Sequence, residues 1–386
     1  MKHMAVNTVV LAALLLSSAA MPAKEEAAPE SSRPQIEVVF VLDTTGSMGD
    51  LIQAAKEKIW AIANTLTSTK PAPDIKMGLV GYRDRGDAYI TKLTDLTDDL
   101  DAVYEDLMAF QAQGGGDAPE SVNQALNEAV TRIKWSEDDE AYRVIFLVGD
   151  CPPHMDYKDD VKYPDTCKTA ATAGIIVNTI QCGNHAPTQP VWTEIADRAE
   201  GRYFQVEQSG GAILASTPFD KDLAELSKDL EGTRLYYGDA SVLADSEERK
   251  EVAEKIHAGA TVSARARRAV YSASEPADRL AGKHDLVKDV AEGKVKLAEV
   301  KEEELPEDLR KVPVEEREKF IAEQSEKHQK VQAKIKELAA KRQKHIEEQL
   351  RKSNLKGKQS LDFAIFECIK EQAGKKGIAY KGGPAF

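Results

Sequence analysis

Five apolar residues, Val38-Val39-Phe40-Val41-Leu42, run without a polar interruption and stop at Asp43. A strand with one wet face alternates polar and apolar side chains, whereas an unbroken apolar run is a strand covered on both faces. The pattern returns at Val144-Ile145-Phe146-Leu147-Val148, followed by Gly149 and Asp150. Strands of this kind belong inside a parallel sheet flanked by helices.

The segments between them agree. Strands are predicted over residues 36–43, 75–82, 142–148, 175–181 and 202–206, with a short antiparallel edge over 89–96. Helices are predicted over 48–67, 100–113, 118–133, 165–173, 190–199 and 219–230, the first from the helical spacing of Leu51, Ala54, Ala55 and Ile59. The alternation gives an α/β fold over residues 35–237, a doubly wound, mostly parallel sheet with strand order 3-2-1-4-5-6. In that order the first and fourth strands are neighbours. Their carboxyl ends flank the crevice where open sheets bind ligands.

Residues 238–386 read differently, as a mainly α-helical region dense in Glu, Lys, Arg and Ala. Asp245 with Glu248 resembles a capping pair at a helix start. Pro306 and Pro313 are expected to separate helices, and residues 314–352 to form one long charged helix. On that helix Val331, Ile335 and Leu338 begin an apolar seam that Arg342 and His345 interrupt. The basic cluster Arg265, Arg267 and Arg268 is expected on a solvated helix face. Residues 360–369 are apolar enough to dock.

The first 20 residues read as a signal peptide: Lys2 supplies the positive end, residues 9–16 the apolar core, and Ser18-Ala19-Ala20 the small residues before cleavage. The apolar stretch falls short of the ~20 residues that span a bilayer, and no later stretch approaches that length. Residues 21–34, rich in Ala, Glu, Pro and Ser, read as a disordered spacer. The expected product is an exported protein, periplasmic or extracellular, with no membrane span in the mature chain. In such a compartment Cys151, Cys167, Cys182 and Cys368 can form disulfides. Cys167 with Cys182 is the expected pair, and Cys151 with Cys182 its competitor. A net charge of -13 over 386 residues disfavours nucleic acid and anionic membranes as partners. No glycine-rich phosphate loop is present.

Three segments carry chemistry. Asp43-Thr44-Thr45-Gly46-Ser47 places an acid and two alternate hydroxyls at the end of the first buried strand. Asp150 ends the fourth. Gln113-Gly114-Gly115-Gly116-Asp117-Ala118-Pro119-Glu120-Ser121 is a glycine-rich turn that opens a helix, with Asp117 as a helix cap or a further oxygen donor. Hard oxygen donors at one sheet rim suit a hard divalent cation.

These residues resemble the von Willebrand factor type A domain and its metal-ion-dependent adhesion site. The family's D-x-S-x-S stands here as Asp43-Thr44-Thr45-Gly46-Ser47, with Thr45 for the first serine, and its later aspartate matches Asp150. Many members carry a threonine in the middle loop, where this chain offers Asp117 as a direct ligand, a water-mediated one or a cap. The resemblance implies a metal-dependent protein-binding module, not an enzyme, that uses Mg²⁺, with Ca²⁺ or Mn²⁺ as alternatives. Asp43, Thr45, Ser47, Asp117 and Asp150 would hold the ion, and the partner would be a protein that offers an Asp or Glu carboxylate.

One enzyme reading competes. Haloacid-dehalogenase-like phosphatases also place a nucleophilic Asp after a first buried strand and a Gly-Asp pair after a later one, as Asp43 and Gly149-Asp150 do. They need a second Asp two positions after the nucleophile as general acid, and Thr45 stands there. Two short lookalikes are weaker. Asp43-Thr44-Thr45-Gly46 departs from the Asp-Thr-Gly of aspartic proteases and has no second copy. Arg85-Gly86-Asp87 follows a strand and reads as a turn, with Asp84 or Asp87 near the site. His154 reads as a loop residue.

Overall fold

The computed structural model describes residues 33–116, 118–211, 216–353 and 360–385. The expected signal peptide, the spacer up to residue 32 and Asp117 lie outside them.

Six strands form one sheet: β1 (Gln35–Asp43), β2 (Asp74–Tyr82), β3 (Thr91–Thr97), β4 (Tyr142–Gly149), β5 (Ile175–Cys182) and β6 (Tyr203–Val206). Their order is β3-β2-β1-β4-β5-β6, as the sequence predicts. All neighbours are parallel except β3, which runs antiparallel along the edge of β2. The register aligns Asp43 with Tyr82 on β2 and Leu42 with Val148 on β4. Asp43 and Asp150 therefore leave the same rim from adjacent strands.

The unbroken apolar runs are explained by two covered faces. Ile36, Val38, Phe40 and Leu42 point into one core, Val39 and Val41 into the other. The first face is covered by α1 (Gly49–Leu66), α2 (Leu100–Ala109) and residues from the end of the chain, and the second by α3 (Val122–Thr131), α4 (Tyr163–Thr172) and α5 (Thr188–Arg198). Each fully buried Ile, Leu, Val or Phe side chain contributes about 1.5–3 kcal/mol. The α/β part closes with α6 (Asp220–Glu231).

Two helices are shorter than their periodicity suggests. α2 stops at Ala109, where Lys56 Nζ takes the Met108 and Phe110 carbonyls at 3.0 and 2.8 Å. α3 begins only at Val122, because residue 120 is drawn into a bridge with Pro153. The freed residues 110–121 run along the functional rim.

The rest is helical: α7 (Ala240–Gly259), α8 (Val262–Ser272), α9 (Glu275–Ala281), α10 (Leu286–Ala291), α11 (Glu307–Arg310), α12 (Val314–Ser353) and α13 (Leu361–Gln372). Pro306 and Pro313 immediately precede α11 and α12, as expected. Val331, Ile335 and Leu338 of α12 pack with Leu223 of α6 and Ala266 of α8. Arg342 does not break that seam; it is buried and donates to Asp220 Oδ1 at 2.8 Å. No helix of the described residues is long and apolar enough to cross a membrane.

Three expectations fail here. The cap of α7 is Asp239, which accepts from Ser241 N and Val242 N; Asp245 and Glu248 lie inside the helix. Arg267 and Arg268 are buried rather than solvated, because Glu57, Asp101 and Glu231 on neighbouring helices neutralise them. All four cysteines are free thiols. Cys167 faces the core under α4 while Cys182, at an even position of β5 with Ile180, faces the opposite one, so the sheet separates the expected pair. Cys151 is also unpaired with Cys182.

Candidate functional site

β1 delivers Asp43 to the rim fully buried. Its Oδ1 accepts from Thr45 N at 2.8 Å and from Thr45 Oγ1 at 2.7 Å, so the turn folds back on its own acid. Thr45 Oγ1 lies 3.3 Å from Ser47 Oγ. Thr44 points the other way and bonds Tyr82 O and the Tyr89 hydroxyl. The glycine-rich segment lies against this turn: Gly46 N donates to Gly114 O and Gln113 N to Thr44 O, each at 3.1 Å. Gly114 and Gly115 have φ of +77° and +75°. A Cβ on Gly115 would press on Thr45 and Glu120 at 3.1 Å, so glycine is needed for this approach. Asp43 and Thr45 are buried and Ser47 is exposed, so the oxygen cluster opens to solvent at Ser47.

β4 brings Asp150 beside Asp43. Gln208 Nε2 donates to Asp150 Oδ2 at 2.8 Å, and Asp150 O accepts from Thr188 Oγ1 at 2.7 Å. The structure thus brings together Asp43, Thr45, Ser47 and Asp150. Asp117 lies outside the described residues. Gly149 makes the closeness of the two acids possible: a Cβ there would sit 2.9 Å from Asp43 Cβ.

One acid was not anticipated. Glu120, which ends the Asp117-Ala118-Pro119-Glu120 stretch, is buried across Gly115 from Thr45. Its signal in the sequence is an acid one residue after a proline, in a turn already singled out. Asp84 is also buried; Oδ1 accepts from Ser121 Oγ at 2.9 Å and Oδ2 from the Tyr157 hydroxyl at 2.8 Å. His154 is no loose loop residue: it is buried, stacked on Tyr157 and 3.4 Å from Asp84. The Arg85-Gly86-Asp87 turn is consumed internally. Arg85 pairs with Asp159 and Asp160, and Asp87 Oδ2 accepts from Gly115 N at 2.9 Å.

The electrostatics of the rim show what it lacks. Asp43 Oδ2, Asp150 Oδ1 and Glu120 Oε2 are buried with no hydrogen-bond partner among the described residues. Burial, against the two bonds from Thr45 and with the added charge of Asp150, pushes the Asp43 carboxyl up to about 7. Burial and the charges of Asp43, Asp84, Asp150 and Asp87 push Glu120 up to about 9. The nearby buried Arg83 gives no relief, since it donates to the Thr44 and Gln111 carbonyls at 3.2 and 2.7 Å. Unsatisfied buried carboxylate oxygens are costly, and a cation among them would remove that cost. Among the described residues, no three His, Cys, Asp or Glu side chains form a metal cage by themselves. The donor set here is instead two acids with two hydroxyls, all oxygen, which fits a hard divalent ion.

The model of the von Willebrand factor A domain family matches residues 37–215. This segment is a von Willebrand factor A domain. The domain is 36% identical over 120 residues to von Willebrand factor A domain-containing protein 7 of Rattus norvegicus, a match covering 31% of this chain and 12% of that protein. It is also 23% identical over 200 residues to ariadne-like RING finger protein R811 of Acanthamoeba polyphaga mimivirus, covering 47% of this chain and 19% of that protein. The chain thus spans less than a fifth of the length of these curated relatives. Among solved structures, BatB from Bacteroides thetaiotaomicron is 16% identical, with a TM-score of 0.34, covering 57% of this chain and 99% of that one. None of these matches supports the phosphatase reading.

Proposed function

We propose that the von Willebrand factor A domain of this protein is a metal-dependent protein-binding module without enzymatic activity. The observation that carries the reading is the pair of orphaned buried oxygens, Asp43 Oδ2 and Asp150 Oδ1, on neighbouring strands and beside two hydroxyls. In this reading Asp43, Thr45, Ser47 and Asp150 hold the ion, Asp117 supplies a further oxygen directly or through water, and Glu120 borders the set. Mg²⁺ is the expected ion, because it keeps several waters and needs few carboxylates, with Ca²⁺ or Mn²⁺ as alternatives. When bound, it supplies a positive centre with open positions that an Asp or Glu of a partner protein completes.

The chain's own residues set the terms of that capture. Thr45 fixes one oxygen of Asp43 by two hydrogen bonds and leaves the other free. Gln208 does the same for Asp150. Ser47, exposed at the mouth, marks the approach route. We further propose that the protein is exported and meets its partner in a periplasmic or extracellular space, on the strength of its first 20 residues.

The test is calorimetric titration with Mg²⁺ of the full chain and of Asp43→Ala, followed by a pull-down from secreted or periplasmic protein washed with EDTA. Saturable Mg²⁺ binding lost in Asp43→Ala, with a bound protein released by EDTA, is the expected result. Equal Mg²⁺ binding by both chains, or a partner retained in EDTA, overturns the reading.

A further inference from the structure

Tyr82 ends β2 at the metal rim with a hydroxyl that the fold does not use. It is the register partner of Asp43, and its side chain packs with Val39 and Val41 of β1 in the core under α3, α4 and α5. Its backbone carbonyl is engaged, accepting from Thr44 N and Thr44 Oγ1, each at 2.8 Å. Its hydroxyl is buried and has no hydrogen-bond partner among the described residues.

The position of that hydroxyl is specific. β1 lies between β2 and β4, and the side chain of Tyr82 reaches past β1 to Gly149 of β4. A Cβ on Gly149 would strike Tyr82 Oη, and would lie 2.9 Å from Asp43 Cβ and 3.1 Å from Asp43 Oδ2. Tyr82 Oη and Asp43 Oδ2 therefore border one gap, open because residue 149 has no side chain. Both are orphaned there; the phenol has a proton to donate and the carboxylate oxygen has lone pairs to receive it. Other donors of the rim are directed elsewhere. Thr45 N and Oγ1 serve Asp43 Oδ1, Gln208 Nε2 serves Asp150 Oδ2, and Arg83 serves the Thr44 and Gln111 carbonyls. An unpaired buried hydroxyl costs stability that phenylalanine would avoid in the same space. The tyrosine is thus matched to a state in which Asp43 is charged and must be held.

We propose that Tyr82 is a positioning residue of the metal site: with an ion bound, its hydroxyl donates to Asp43 Oδ2 and holds that oxygen toward the ion. This inference rests on the metal-binding reading above. A carboxylate oxygen offers two lone pairs, so Oδ2 can face the ion with one and Tyr82 with the other. Thr45 and Tyr82 then fix Asp43 by both of its oxygens, as ligating carboxylates are commonly fixed by hydrogen bonds from the groups behind them.

The test compares the full chain with Tyr82→Phe, which keeps the ring and removes only the hydroxyl. The measurements are calorimetric Mg²⁺ titration, thermal melts in EDTA and in saturating Mg²⁺, and near-ultraviolet difference spectra. Mg²⁺ affinity is expected to fall roughly tenfold, the usual loss when such a supporting hydrogen bond is removed. In EDTA the melting temperature is expected to hold or rise, because an unpaired hydroxyl is lost, while the gain on adding Mg²⁺ shrinks. Mg²⁺ is expected to perturb the tyrosine spectrum of the unaltered chain, and that signal to weaken in Tyr82→Phe. A hydroxyl with only a structural role would lower the melting temperature in EDTA and leave Mg²⁺ affinity unchanged, and unchanged affinity overturns the proposal. Mg²⁺ binding by the unaltered chain with no tyrosine signal overturns it too, even if the variant fails to fold. No Mg²⁺ binding by the unaltered chain defeats the metal-binding reading and this inference with it, so the two failures are told apart.

Discussion

Asp43 and Asp150 leave the sheet from adjacent parallel strands, and each keeps one buried oxygen with no hydrogen-bond partner among the described residues. Two such acids repel one another when both are charged, and the residue that lets them come so close is Gly149. Gly149→Ala places a methyl group against Asp43 Cβ and the Tyr82 hydroxyl. The substitution is expected to displace Asp43 and to lower Mg²⁺ affinity roughly tenfold or more without removing a ligand, since a small misplacement of a coordinating group is costly. Calorimetry on the variant, with circular dichroism to show the fold intact, checks this.

Glu120 separates stability from binding. Its Oε2 is buried with no hydrogen-bond partner among the described residues, and it stands in the field of Asp43, Asp84 and Asp150. Glu120→Gln removes the cost of keeping this buried acid protonated, or charged among like charges, so the melting temperature in EDTA is expected to rise. Mg²⁺ affinity is expected to fall, by less than in Asp43→Ala, because a negative charge beside the ion is lost. Melting curves with and without Mg²⁺ report both effects, and a fall in melting temperature in EDTA would contradict the first.

A buried ion pair fastens α12 to α6. Arg342, 3% exposed, donates to Asp220, 4% exposed, at 2.8 Å. Arg342→Met leaves Asp220 charged and buried and is expected to cost about 3–5 kcal/mol. Adding Asp220→Asn removes the stranded charge and is expected to restore more than half of that loss. Urea unfolding of the single and double variants measures the difference.

Acid should act through Asp278. Burial raises this carboxyl, but the hydrogen bond from His328 and the charges of Arg234 and Lys288 outweigh it and hold it well below the ordinary carboxylate range. The folded value lies below the unfolded one, so the unfolded chain takes up the proton first as pH falls. The stabilisation is therefore complete above about pH 4 and declines below it, by about 2 kcal/mol at pH 2.5. In Asp278→Asn that part of the acid sensitivity should vanish, as denaturant unfolding at several pH values would show.

Much of this molecule was legible because its sheet is buried on both faces. The runs at residues 38–42 and 144–148 have no surface to hide from, so hydrophobicity alone marked them, and the reversal of strand order then placed Asp43 beside Asp150. Glu120 was missed because the periodicity of the segment from residue 118 suggested a helix. Tertiary pairing with Pro153 delays the helix and turns the acid toward the rim. The cysteine pairing failed for a reason the sequence does contain. Ile175 and Val177 face the core that holds Cys167, so an even position on the same strand, Cys182, faces away from it. Arg267 and Arg268 misled because burial of a charge depends on partners distant in sequence, here Glu57, Asp101 and Glu231.

The placement of α13 has a consequence for the making of the protein. Leu361, Ile365 and Phe366 share one core with Phe40 and Phe146 of the central strands, Lys58 of α1 meets Asp362 at 3.2 Å, and Tyr380 reaches the Leu66 carbonyl across 314 positions of sequence. A ribosome emits β1 long before this cover. Until residues 361–380 emerge, the part of that face left open by α1 and α2 stays unsealed, so the sheet cannot finish folding early, and a product cut before residue 361 would display that apolar surface to chaperones and proteases.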